Sequence, residues 1–334
     1  MSFETGLPKA ELHVHHVGSA SMRTVAELAE RHAGSTTVPT DPQKLAEFFT
    51  FTDFAHFIEV YLSVVDLLRT PEDLWTLTYD VARDLTAQNV RYVELTCTPY
   101  TSIAVGISAE AYCEALEDAR RRAEADFGLT MRWIFDIPGE SGLPAADVTL
   151  DTALRLQPDG LVGFGLGGPE IGVPRPQFKP HFDQARAAGL HSLPHAGEST
   201  GPQTIWDSLE ALGAERIGHG IAAAQDPALM AYLAEHQIPL EISPTSNIRT
   251  RSVPSMDAHP LPTLVAAGVP VSINSDDPPM FSTTISHEYE VARDLLGLDD
   301  AGVADLARAG VRQSYAPDAV KTRLLAEIDA YAIS

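Results

Sequence analysis

The chain has 334 residues, 44% of them hydrophobic and 21% charged, which is enough to bury a large core without disulfide staples. Its net charge of −23 opposes nucleic acid and anionic membranes as partners, because binding to either rests on Lys and Arg neutralising phosphates. Cys97 and Cys113 are the only cysteines, and neither a signal-peptide pattern nor an apolar run of spanning length is found, so two reduced thiols in a cytoplasmic protein are expected.

The first apolar run, ELHVH (11–15), reads as a strand with His13 and His15 on one side of the pleat. Residues 20–86 follow as a long helical insert, large enough to form a lid. Within it FFTFTDFAHF (48–57) sets five aromatics in ten residues, a stripe that packs on the body of the protein or, through Phe48, Phe51, Phe54 or Phe57, faces a pocket. RYVELT (91–96) and MRWIFDI (131–137) are the next strands, with a helical pattern over 111–127 between them. LVGFGL (161–166) ends at Gly167-Gly168, where bare backbone lets an N–H meet a heterocycle with no side chain in between. After a helical pattern over 180–189 come HSLPHAG (191–197), RIGHG (216–220), PLEIS (239–243) and PVSIN (270–274).

Short β-runs alternating with helices indicate parallel βα units. Eight of them, with no glycine-rich dinucleotide fingerprint after the first, point to an α/β fold of the (β/α)8 TIM barrel type, one domain over 1–334. Such a barrel keeps its active site at the C-terminal ends of the strands. Those ends are where His13 and His15, His195, Glu198, His219, Asn247, Asp276 and Asp277 fall.

A histidine pair alone is as often structural as metal-binding. Joined by His195 and Asp276 at the ends of strands five and eight, it makes a plausible Zn2+ site of three imidazoles and one carboxylate. Zinc lowers the pKa of bound water to roughly 7, and the hydroxide so supplied needs a proton handler. Glu198, three residues past His195, is the candidate for that role, and His219 for orienting the water. Asp276 and Asp277, as neighbours on a strand, are expected to point to opposite sides, one to the metal and one to a substrate.

PKAELHVH (8–15), HAGE (195–198), RIGHG (216–220), PTSN (244–247) and SINSDDPPMF (272–281) resemble, in order and spacing, the adenosine/AMP deaminase family of the amidohydrolase superfamily. The resemblance implies one zinc on His13, His15, His195 and Asp276, and hydrolytic loss of the 6-amino group of an adenine ring. It assigns protonation of N1 to Glu198, assistance of the hydroxide to His219, contact with N7 to Asp277 and contact with N3 to Gly168. The partner is then a small purine nucleoside.

Two departures bear on the substrate. Where the family carries an acid that holds the ribose 5′-hydroxyl, this chain has Val17, and Pro169 replaces a second acid after Gly168. An unpaired 5′-hydroxyl in a buried site would cost about 1–3 kcal/mol. HVHHVGS and GFGLGGPEIGVPR are similar to the aminodeoxyfutalosine deaminases of menaquinone biosynthesis, whose nucleoside carries a carboxyphenyl ketone at its 5′ end. Arg175 is the candidate for that carboxylate, and otherwise reads as a solvated loop arginine. The alternatives are adenosine, adenine or 5′-methylthioadenosine.

Overall fold

The computed structural model describes residues 2–52 and 54–333, the side chains of 54 and 55 excepted. Its strands are β1 (Lys9–His15), β2 (Val90–Cys97), β3 (Thr130–Pro138), β4 (Leu161–Gly167), β5 (His191–Ala196), β6 (Ile217–His219), β7 (Leu240–Ile242) and β8 (Val271–Ile273). Each pairs in parallel with the next in chain order, and helices fill the crossovers. The runs are apolar on both faces because parallel strands are covered by helices outside and packed side chains inside. At the seam of the sheet, Asp276 N donates to His13 O and His15 N to Asp276 O, both at 3.0 Å. The carboxamide oxygen of Asn274 accepts from Leu12 N and His13 N, so β8 and β1 are joined and the sheet forms a barrel.

β6, β7 and β8 span only three residues each, shorter than the expected runs. At the end of β6 and just past β8 the backbone turns, with His219 and Asp276 in left-handed conformations, φ of 59° and 65°. Such geometry is uncommon for a residue with a Cβ and persists where the surroundings over-determine it.

The insert after β1 is helical as expected, with helices Met22–Arg31, Pro42–Phe48, Phe54–Val65 and Pro71–Ala87. Asp73 latches it. Its carboxylate closes a capping box with Thr70 and also accepts from Arg31 and His32, which ties the first of these helices to the last. Among the described residues no helix is long and apolar enough to cross a membrane.

Candidate active site

His13, His15, His195 and Asp276 converge at the C-terminal rim. His15 Nε2 lies 3.2 Å from His195 Nε2 and 3.2 Å from Asp276 Oδ1, and His13 Nε2 lies 3.6 Å from the same oxygen. Two of the imidazoles are turned by what holds their other nitrogen. His13 Nδ1 meets Glu241 Oε2 at 2.8 Å and His195 Nδ1 donates to Leu166 O at 3.1 Å, leaving both Nε2 lone pairs facing the centre. His13 Nε2 is buried without a hydrogen-bond partner, a costly arrangement for an isolated imidazole and the one a metal ligand needs. Three nitrogens and one carboxylate oxygen in this cluster suit a divalent transition metal. Ser246 Oγ donates to Asp276 Oδ2 at 2.6 Å and fixes the carboxylate.

Below the imidazoles runs a buried charge chain absent from the motif reading. Arg216 pairs with Glu241 through Nε and with Glu94 through Nη2, and gives Nη1 to Gln313 O. Glu94 is completed by the Tyr92 hydroxyl and Tyr315 N. Burial pushes the Glu241 carboxyl up, but Arg216 and His13 outweigh it and hold the group at about 2. Glu241 is therefore a carboxylate that fixes the His13 tautomer. Its signal was an acid inside the apolar run PLEIS.

Glu198 and His219 stand beside the cluster, with His219 Nε2 at 3.7 Å from Glu198 Oε2 and from Asp276 Oδ2. Burial, then the charges of Asp276 and Glu170, raise the Glu198 carboxyl to about 8, so it holds a proton at neutral pH. Glu170 also accepts from Glu198 N and Thr200 N and fixes the turn that presents Glu198. Burial lowers His219 to about 3, leaving a neutral ring.

One cavity contains these groups together with Val17, Gly168 and Asp277. Gly168 is favoured there by its φ of +78°, and a Cβ would displace the tip of Glu140, whose Oε2 would lie 2.3 Å away. Asp276 and Asp277 do not face opposite sides. Both line the cavity, because they lie past the end of β8 where the left-handed turn at Asp276 breaks strand alternation. Asp277 Oδ1 is buried without a partner, and burial followed by the Asp276 charge raises its pKa to about 8. Asp136, at the end of β3, and Glu140 also line the wall and were not singled out by motif. Asp136 accepts from Thr98 Oγ1 at 2.5 Å, and an acid inside the apolar run MRWIFDI was the readable clue.

Arg175 is neither a solvated loop residue nor part of the cavity wall. It is 1% exposed and turned inward, with Nη1 donating to Val173 O and Nη2 to His195 O. It braces the end of β5. His16 is likewise outside the cavity, buried with Nε2 2.9 Å from Thr78 Oγ1. Of the insert aromatics Phe57 lines the cavity, joined by Tyr61. Phe51 packs against Phe57 and Phe281, and Phe48 against Phe49. The side chain of residue 54 lies outside the described residues.

The family model described as adenosine deaminase matches residues 8–331. An aminodeoxyfutalosine deaminase of Streptomyces coelicolor is 64% identical over 332 residues, which cover 99% of this chain and 86% of the relative. An adenine deaminase structure from Arthrobacter aurescens matches with a TM-score of 0.92 at 31% identity, covering 98% of this chain and 100% of the other. A structure of an amidohydrolase from Burkholderia ambifaria with bound Zn matches with a TM-score of 0.88 at 26% identity, covering 99% and 93%.

Proposed function

This chain belongs to the adenosine deaminase family, a metal-dependent amidohydrolase type, and from that premise we propose that it hydrolyses aminodeoxyfutalosine to futalosine and ammonia, a step of menaquinone biosynthesis. His13, His15, His195 and Asp276 would hold one Zn2+. When bound it brings a water to a pKa of roughly 7 and so supplies hydroxide at neutral pH.

The other steps belong to side chains. Glu198, protonated at neutral pH, donates to N1 of the purine and so makes C6 open to addition. His219, neutral, hydrogen-bonds the attacking oxygen. Asp277, whose raised pKa lets it keep its proton, donates to N7, and the Gly168 backbone meets N3. Addition at C6 is followed by loss of the amino group as ammonia: the added hydroxyl gives its hydrogen to the leaving nitrogen and closes to the C6 carbonyl, while N1 keeps the proton from Glu198. Asp136, buried in the wall beside the ligands, is placed to accept from a ribose hydroxyl.

The observation that carries the substrate is the character of the wall around Val17. Val17, Ile58, Leu62 and Val65 line the cavity in which the resemblance expects a carboxylate for a 5′-hydroxyl. That surface suits an aryl ketone and leaves a hydroxyl unpaired. Among the described residues the wall contains no Lys or Arg, so the carboxylate of the substrate points out through the mouth. Adenine alone, the substrate named for the Arthrobacter relative, would leave these side chains without contact.

The test is the initial rate of loss of adenine-type absorbance with aminodeoxyfutalosine, 5′-methylthioadenosine, adenosine and adenine in parallel. A kcat/KM for aminodeoxyfutalosine at least ~100-fold above the rest, about 2.7 kcal/mol of transition-state discrimination, is expected. Adenosine or adenine turning over as well would sink the substrate assignment.

A further inference from the structure

His259 touches neither the cavity nor any candidate ligand, yet it ends a hydrogen-bonded chain that runs to His219. Leu261 opens the helix Leu261–Ala266, and its N–H has no partner inside that helix. It donates instead to His259 Nδ1 at 3.1 Å. His259 Nε2 is 3.2 Å from Asn247 Oδ1, and Asn247 Nδ2 is 3.2 Å from His219 Nδ1. Asn247 is 0%, His219 1% and His259 4% exposed, so water does not compete for these contacts.

Two imidazoles and a carboxamide are each ambiguous alone, because the ring proton and the amide orientation can be exchanged. One group in the chain has no such freedom. A backbone N–H can only donate, so His259 Nδ1 accepts and the single proton of that ring sits on Nε2. Burial keeps the ring neutral, with a pKa of about 4. The Nε2–H must find an acceptor, which turns the Asn247 oxygen toward it and the Asn247 NH2 toward His219. His219 Nδ1 therefore accepts, and its proton sits on Nε2, the nitrogen that faces Glu198 and Asp276.

We propose that His259 is a positioning residue that, through Asn247, sets the tautomer of His219 so that this ring presents an N–H to the reacting centre. His219 Nε2 is then neither a base nor a metal ligand, although a ring nitrogen of His219 lies within 4.8 Å of ring nitrogens of His13 and His195. It is a hydrogen-bond donor to the attacking oxygen. This role rests on the deaminase reading above, but the tautomer itself does not.

The experiment is two-bond 1H–15N correlation on zinc-loaded protein labelled at histidine, with His219→Gln used to identify the signals. Pyrrole-type and pyridine-type nitrogens are separated directly. The wild type is expected to show His219 protonated at Nε2. In Asn247→Asp a carboxylate accepts at both ends, so the proton of His219 is expected to move to Nδ1, with kcat down ~10–100-fold, KM little changed and zinc content intact. His259→Leu should lose kcat in the same way, while His259→Gln, which keeps an acceptor and a donor side by side, should retain most of it. A wild-type His219 protonated at Nδ1 overturns the proposal, whatever the variants do. So does an Asn247→Asp protein whose kcat falls with the tautomer unchanged. If the Nε2–H form is found but no adenine compound is deaminated, the relay stands and the functional reading fails.

Discussion

The two nitrogens of His13 face two different kinds of interior. On the Nδ1 side every charge named above is matched: Glu241 to Arg216, Arg216 to Glu94, and Glu94 to Tyr92 and Tyr315. On the Nε2 side His13 and Asp277 Oδ1 are buried without partners, and Glu198 and Asp277 hold protons at neutral pH. A fully partnered buried network orients what it touches, whereas unpartnered polar atoms in a cavity are retained for something that binds. Scaffold and chemistry are thus separated by one imidazole ring.

Changes on the upper side should stop the reaction while leaving the fold intact. Glu198→Gln removes the proton for N1 but keeps the shape, so kcat should fall by roughly 10²–10⁴-fold with the melting temperature unchanged. Rates with aminodeoxyfutalosine and thermal melts on the same preparation check this. A variant that keeps its rate would show that the proton comes from elsewhere.

Changes on the lower side should cost stability and metal together. Glu241→Ala leaves His13 unoriented and Arg216 with one carboxylate instead of two. Zinc affinity should drop ~10–100-fold, and stability by about 3–5 kcal/mol, read from competition with a chelator and from denaturant unfolding. Loss of one effect without the other would show that scaffold and chemistry are not divided at His13.

The pH dependence sharpens that division further. Glu198 is an acid whose pKa is raised to about 8, so its proton is present below that value and lost above it. The profile of kcat/KM should rise toward roughly pH 7 as hydroxide becomes available and fall by more than tenfold per unit above pH 8, because Asp277 loses its proton over the same range as Glu198. The Glu241–Arg216 pair stays charged over the same range and should contribute no break.

Smaller effects are expected where substrate selection rather than chemistry is involved. Val17→Asp restores an acceptor for a 5′-hydroxyl and should move the adenosine to aminodeoxyfutalosine ratio of kcat/KM by on the order of tenfold toward adenosine. Arg175→Lys should leave that ratio unchanged, because the guanidinium faces the Val173 and His195 carbonyls.

Strand positions were legible because a parallel strand buried on both faces is a short apolar run, and His13, His15, His195, Glu198, His219 and Asp276 were legible because each stands at such an end. Residues whose role depends on partners far along the chain were not. Glu94 and Glu241 come from β2 and β7 and Arg216 from the residue before β6, and their pairing has no local signature. Arg175 sits in a proline-rich loop that reads as surface, yet its head turns in to a carbonyl 20 residues away. Asp276 and Asp277 misled because strand alternation was extended past a backbone that had already turned.

The most direct test is the metal content and deaminase rate of the wild-type chain before and after chelation. One zinc per chain is expected, with loss of the rate on removing it, recovery on restoring it, and a cooperative melt in both states because the lower network is complete without the ion. A metal-free protein that deaminates at the full rate would contradict this expectation.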